Sequence, residues 1–353
     1  MEKALTLVIP TYNLEKYLRT CRDSLIVGEG QEQLEVLVIN DGSKDASSVI
    51  AHEYEAKHPE SFRVIDKENG NYGSCINRGL KEATGKYIKI LDADDYLDTS
   101  SLKTFLQKLH DINTDLVLTD NTIFGDNDIS KKHYNFPFAA ETCLAFTDIC
   151  NKDAFKTCIQ MHNVTYRRTL FERFEYHQTE GISYTDMEWI FLPMSHVRTV
   201  TYLPLPLYFY LVGREGQTIA PTQMKRSAEH NATLVNGMLD HYVKADKSDP
   251  SILAYLDFRL ARQVKYLYRI YLAEFPGMEL TKVIETDKKL KDIHPALYEA
   301  TGRRTMGPFI RIKYVSYWRR HNYAPQPKYF YTLFNSYNKM LNWTKRLLGL
   351  HHV

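Results

Sequence analysis

Leu5-Thr6-Leu7-Val8-Ile9-Pro10 is followed by Leu14–Val27, with Leu14, Leu18, Cys21 and Leu25 on one helical face, and then by Leu34-Glu35-Val36-Leu37-Val38-Ile39. Two short β-branched runs on either side of an amphipathic helical pattern make a βαβ unit. The alternation continues outward. Apolar runs at Phe62–Ile65, Tyr87–Leu91 and Leu116–Thr119 separate helical patterns at Ala46–Lys57, Ser74–Ala83 and Ser100–Leu109. Strands alternating with helices predict an α/β fold with a parallel sheet covered on both faces, and right-handed crossovers make it doubly wound. Residues 120–215 are less regular: Phe124–Ser130 reads as a loop, and Val197–Tyr210 as two extended pieces broken by Pro204 and Pro206. From about Thr222 the pattern turns helical, with Leu253, Leu256, Leu260, Val264 and Leu267 three or four apart. A boundary near Gly216–Pro221 divides a first domain, 1–218, from a helical, basic region, 219–353.

The 353 residues are 44% hydrophobic and 25% charged, the composition of a globular chain long enough for two domains. No run approaches the ~18–20 apolar residues of a membrane span. The apolar run after Met1-Glu2-Lys3 is too short for a secretory signal, so export is not expected. Five cysteines without a C-x-x-C pair argue against a disulfide framework or zinc site and suit a reducing cytoplasm. The net charge of +2 hides an asymmetry: residues 301–353 hold ten Lys/Arg and no Asp or Glu, leaving 35 bases against 43 acids elsewhere. An anionic partner for the tail is expected.

Open parallel sheets bind ligands outside the carboxyl ends of their strands. Pro10-Thr11-Tyr12-Asn13 follows the first strand, Asn40-Asp41-Gly42-Ser43 the second, and Asp92-Ala93-Asp94-Asp95 the fourth. Three carboxylates in four residues repel one another unless a cation neutralises them, and hard oxygen ligands suit Mg²⁺ or Mn²⁺. The alternative is a solvated acidic turn, in which Asp95 or Asp98 caps the helix beginning near Thr99. Asp41 is either a turn residue or a hydrogen-bond partner for a nucleobase, and Tyr12 either packs or offers a stacking surface. The glycine spacings around Gly70–Ser74 and Gly79–Tyr87 fit neither a dinucleotide fingerprint nor a P-loop.

Taken in order, Val8–Asn13, Asn40–Ser43, Lys67-Glu68-Asn69-Gly70 with Asn77 and Gly79, and Leu91–Asp95 resemble the motifs of family-2 inverting glycosyltransferases. The resemblance covers about residues 4–215. It implies a GT-A-type fold, with a mixed, mostly parallel sheet flanked by helices, and a nucleotide-sugar donor, UDP first among the candidates. It implies that Pro10, Thr11, Tyr12, Asn13, Asp41, Lys67, Asn77, Asp92 and Ala93 line the donor site. Asp94, with Asp92, would hold Mn²⁺ or Mg²⁺. In Gly181–Trp189 the resemblance implies that Asp186 is the catalytic base, with Glu188 as substitute; otherwise Asp186 caps a helix over Met187–Met194. Arg214 either closes over the diphosphate or is a surface charge. Asn40 and Thr185 both stand where the family commonly has Asp or Glu.

The reaction so implied transfers a sugar to a hydroxyl of a glycan or lipid-linked acceptor in cell-surface polysaccharide synthesis, on the cytoplasmic side of the membrane. A sugar nucleotidyltransferase and a non-catalytic nucleotide-sugar-binding subunit are the alternatives. Aromatic and basic residues interleaved in 301–353 fit either an anionic membrane surface or a helical bundle, packed on the chain or in a homo-oligomer. No nucleic-acid-binding module accompanies the positive charge.

Overall fold

A computed structural model describes residues 3–125, 132–183, 185–213, 228–306 and 310–347. Strand β1 (Leu5–Thr11) is buried along its whole length and lies parallel to β2 (Leu34–Asn40), with Leu5 opposite Leu34 and Thr11 opposite Asn40. Strands covered on both faces carry continuous apolar runs rather than alternation, so these two were legible. β3 (Phe62–Asp66) and β4 (Tyr87–Ile90) extend the parallel set on either side. Helices α1 (Glu15–Asp23), α2 (Ser47–Lys57), α3 (Asn71–Glu82) and α4 (Thr99–Asp111) cover it. Asp98 caps α4, accepting from the Ser101 amide at 2.8 Å, an arrangement worth about 1 kcal/mol.

The remaining strands are β5 (Tyr96–Leu97), β6 (Leu116–Gly125), β7 (Lys132–Tyr134), β8 (Cys143–Ala145), β9 (Val164–Arg167) and β10 (Thr199–Val212). The sheet order is β3-β2-β1-β4-β9-β6-β10-β5, with β7 beside β6 and β8 beside β10. β9 runs antiparallel between β4 and β6, while β10 is parallel to β6. This is the mixed, mostly parallel GT-A-type sheet. Two details differ from the sequence reading. β6 continues through Phe124, and the two pieces expected around Pro204 and Pro206 are one strand with register shifts flanking Pro206, where a missing N–H is tolerated.

The helix expected over Met187–Met194 is two short ones, α6 (Asp186–Trp189) and α7 (Leu192–His196), after α5 (Asp153–Lys156). Pro193 cannot donate to the Trp189 carbonyl, and the Tyr166 hydroxyl does so instead at 3.0 Å. The helical region holds α8 (Ala228–Lys244), α9 (Pro250–Arg269), α10 (Thr281–Ile293), α11 (Pro295–Arg303), α12 (Tyr314–Arg320) and α13 (Lys328–Leu347). By contacts the chain forms two units, Met1–Thr218 with Ala245–Leu256, and Ile219–Lys244 with Asp257–Val353. In the second unit Asp287 is buried and receives Arg319 at 2.6 Å and the Tyr268 hydroxyl at 2.5 Å. All five cysteines are free thiols. Among the described residues no helix is long and apolar enough to cross a membrane.

Candidate active site

β2, β1 and β4 are adjacent and parallel, so their carboxyl ends emerge side by side, each about 4.8 Å from the next. That rim receives Tyr12 from β1, Asp41 from β2 and Asp92 from β4. Tyr12 is 48% exposed and lines a cleft with Gly42, Lys44, Asp66, Lys67, Glu68 and Asn69. Asp41 is buried. Its Oδ1 accepts from Lys67 Nζ at 2.5 Å and from the Gly70 amide at 2.9 Å, and Lys67 also donates to Ser74 Oγ at 2.8 Å.

The residues after β1 tie two loops together. Asn13 sits at φ 53° and its Oδ1 accepts from the Lys44 amide at 2.7 Å, while Ser43 Oγ accepts from the Asn13 amide at 3.1 Å. Asp45 accepts from the Glu15 amide at 3.0 Å, and Glu15 accepts from the Ala46 amide at 2.8 Å, so the starts of α1 and α2 cap each other. Pro10 and Thr11 are buried, and the Thr11 hydroxyl donates back to the Ile9 carbonyl at 3.2 Å. The Thr11 hydroxyl is thus engaged within β1. Asn13 likewise serves as a link between loops.

In the acidic turn, Asp92 Oδ1 accepts from the Tyr72 hydroxyl at 2.8 Å. Ala93 is buried and Asp94 half-buried. Asp95 is buried and both of its oxygens are occupied, one by the Tyr208 hydroxyl at 2.7 Å and one by the Leu211 amide at 2.8 Å. Burial, followed by the charges of Asp92 and Asp94, holds the Asp95 carboxyl well above the usual carboxylate range. Ligand atoms of Asp92, Asp95 and His162 lie within 4.8 Å of one another. Asp92 is common to this group and to the expected pair with Asp94, which is half-buried in the same turn.

Asp186 is the first residue of α6, and Thr185 precedes it as the cap position, so Asp186 is not the cap. The preceding loop is fastened from three directions. Gln178 Nε2 donates to the Thr185 carbonyl and hydroxyl, both at 2.9 Å. Glu188, fully buried, accepts from the Thr179 amide at 2.7 Å and its hydroxyl at 2.6 Å. Asn77 donates to the Gln178 carbonyl at 2.9 Å and accepts from the Gln178 amide at 2.8 Å. Asn77 thus holds the loop to α3, and Glu188 fastens it from within. Arg214 lies outside the described residues.

The acids converge. Burial pushes the Tyr210 phenol up, and the charges of Asp95, Asp92, Asp186 and Asp94 push it further. Burial also raises Tyr72, with Asp92, Asp186 and Asp95 adding to it. Four carboxylates from two distant stretches of chain therefore act on Tyr210, and three of them on Tyr72 as well. Beneath them lie two groups that the sequence reading missed. Lys89, fully buried in β4, donates to the His162 carbonyl at 2.6 Å, and burial lowers it to about 7. The His162 ring stacks on Tyr210 at 4.4 Å between centroids; burial, then the Lys89 charge, lowers it to about 3. A single lysine inside the apolar run Tyr87–Leu91 was the available signal.

This sheet, with carboxylates gathered on its rim, is that of a GT-A-type transferase domain. Residues 6–174 match the family described as Glycosyl transferase family 2. EpsH of Bacillus subtilis (strain 168) is 31% identical over 223 residues, 59% of this chain and 61% of its own length. The minor teichoic acid biosynthesis protein GgaB of the same organism is 36% identical over 102 residues, 29% of this chain and 11% of its own length. The chain thus spans about three-fifths of one relative and about a tenth of the other. The crystal structure of S. aureus TarS 1-349 in complex with UDP-GlcNAc has the same fold, with a TM-score of 0.63 at 20% identity over 95% of this chain and 92% of that one. Residues 6–174 thus carry a Glycosyl transferase family 2 domain.

Proposed function

We propose that the chain is a metal-dependent inverting glycosyltransferase that moves a sugar from a UDP-sugar to a hydroxyl of a glycan or lipid-linked acceptor in cell-surface polysaccharide synthesis. The observation that carries this reading is the joint action of Asp92, Asp94, Asp95 and Asp186 on Tyr210 at the carboxyl rim of a family 2 domain. GgaB, named for teichoic acid biosynthesis, and TarS, solved with UDP-GlcNAc, support the acceptor class and the donor class. The work is divided between 1–218, which binds the donor and carries the chemistry, and the helical 219–353. It takes place at the cytoplasmic face of the cell membrane.

Tyr12 stacks on the uracil from the exposed side of the cleft. Asp41, fixed by Lys67 and the Gly70 amide, presents its remaining lone pairs to the base edge. Hard carboxylate oxygens and a neutral imidazole gathered in one place fit a divalent ion, and repulsion among the acids favours one. Asp92 and Asp94 would hold Mn²⁺ or Mg²⁺, which supplies charge stabilisation to the departing diphosphate. Asp186 accepts the proton of the acceptor hydroxyl as that oxygen attacks the anomeric carbon. Thr185, Gln178 and Glu188 hold the base in place while it does so, because catalysis by a positioned base depends on its geometry first.

The experiment is a panel of nucleotide sugars with Mn²⁺ present, scored by release of the nucleoside diphosphate. Release from one UDP-sugar, accelerated by a hydroxyl acceptor, is expected. Binding without release from any donor would make the chain a nucleotide-sugar-binding subunit. Formation of a nucleotide sugar from a sugar phosphate would make it a nucleotidyltransferase.

A further inference from the structure

Helix α13 has two apolar faces, and its own unit uses only one. Phe330, Tyr331, Phe334 and Tyr337 are buried, and the Tyr331 hydroxyl donates to the Tyr271 carbonyl at 3.3 Å. Tyr329, Leu333, Met340 and Trp343 are exposed, Trp343 by 64%. Stepping round the helix at 100° per residue places these four within about 40° of one line, roughly a third of a turn from the buried face. Lys328 and Lys339, both exposed, follow one edge of that line at about 80–100°, on the side away from the buried face.

We propose that this face is a docking surface for an anionic lipid bilayer. Trp343 and Tyr329 combine an apolar body with a polar edge and suit the headgroup level, with Leu333 and Met340 entering the acyl boundary between them. Lys328 and Lys339 meet the lipid phosphates. Charge decides between this occupant and a second copy of the chain. No carboxylate occurs in 301–353, so an identical face would set lysines against lysines with nothing in the segment to answer them. An anionic surface answers them directly. Arg319 takes no part, because it is committed to buried Asp287. The sequence left open whether this tail packs or lies on a membrane. Within its own unit the helix packs with one face, and the inference concerns the other. It does not depend on the transferase reading.

The chain's three tryptophans make the test specific. Trp189 and Trp318 are fully buried and Trp343 is exposed, so a change in emission on adding vesicles reports Trp343. The full chain is mixed with phosphatidylglycerol–phosphatidylcholine vesicles and with phosphatidylcholine vesicles. A blue shift and co-sedimentation with the anionic vesicles, weakened by salt, are expected. Lys328→Gln with Lys339→Gln should reduce that partitioning by on the order of 25-fold, since each lysine near an anionic surface contributes about fivefold. Leu333→Ser, Met340→Ser and Trp343→Ser together should abolish co-sedimentation while far-UV circular dichroism stays unchanged. Equal partitioning onto both vesicle types, or no shift with either, would overturn the proposal. Self-association that disappears in the triple variant, with no vesicle binding, would assign the face to a second copy.

Discussion

The hydroxyl of Tyr208 joins two members of the acidic turn: it donates to Asp95 Oδ2 at 2.7 Å and accepts from the Asp92 amide at 3.1 Å. β10, the last strand of the sheet domain, therefore shapes the turn after β4. With the Leu211 amide on its other oxygen, Asp95 anchors that turn to β10 and leaves Asp92 and Asp94 to face the rim. A buried acid satisfied in this way depends on every partner it has.

Tyr208→Phe keeps the ring, which lies 4.6 Å from the His162 ring, and removes only the hydroxyl. One oxygen of a buried carboxyl then lacks its donor, a loss of about 1–3 kcal/mol. Urea unfolding of the variant should show that drop with an unchanged m-value. A loss below about 0.5 kcal/mol would mean that the anchor lies elsewhere.

The contrast between β1 and β9 shows what the sequence could reveal. β1, β2 and β4 are short, β-branched and buried on both faces, and such strands announce themselves. The residues at their carboxyl ends, Tyr12, Asp41 and Asp92, were found by following that rule. β9 has only Val164-Thr165-Tyr166-Arg167, and it enters the sheet antiparallel from far along the chain. No local pattern encodes such an insertion. The contact of Asn77 was hidden for a similar reason: its partner, Gln178, is about a hundred residues away and invisible until the loop closes on α3. Lys89 was visible as an anomaly, but its meaning depends on the His162 carbonyl, which β9 brings in.

Gly73, in the first turn of α3, allows the loop carrying Thr179 to lie directly on the helix. A Cβ at that position would overlap the Thr179 carbonyl, and backbone cannot swing aside as a side chain can. Gly73→Ala should destabilise the protein by about 1–3 kcal/mol despite alanine's better helix propensity. Because the same loop leads to Asp186, turnover should fall more than donor affinity. Thermal melting paired with steady-state kinetics would check both, and an unchanged melting temperature would refute the packing argument.

Burial, assisted by the Asp186 charge, raises Glu188 to about 7, against an ordinary value near 4.5. Between those values the folded chain holds a proton that the unfolded chain has released. This contribution to stability is fully present below about pH 4.5 and falls as pH rises to about 7. Glu188→Gln can still accept from the Thr179 amide and donate to its hydroxyl, so it should fold well. The difference in stability between variant and wild type should grow in the variant's favour from pH 5 to pH 7 and level off above. Denaturant titrations at several pH values would read it, and parallel curves would show that Glu188 ionises normally.

Asp94 is half-buried beside an acid that burial already keeps neutral, so it is the more available carboxylate of the pair. Asp94→Asn should weaken UDP-sugar binding in Mn²⁺ by about 10–100-fold, the scale seen when a metal site is disturbed. Without metal, variant and wild type should bind equally weakly. Calorimetry in the two conditions separates these outcomes, and an equal loss in both would make Asp94 a direct donor contact.

Asp186→Asn separates base chemistry from donor binding. Asparagine has nearly the same shape and can occupy the first position of α6, but it cannot accept a proton from the acceptor hydroxyl. Transfer should fall by about 10²–10⁴-fold, the usual worth of a positioned general base. Donor affinity, measured by calorimetry with Mn²⁺, should stay within about twofold, because the cleft at Tyr12 and Lys67 is built from the segments that follow β1, β2 and β3. A variant that binds donor normally yet transfers sugar at the wild-type rate would place Asp186 beside the reaction but outside it. The search for the base would then move to the acids on the same rim.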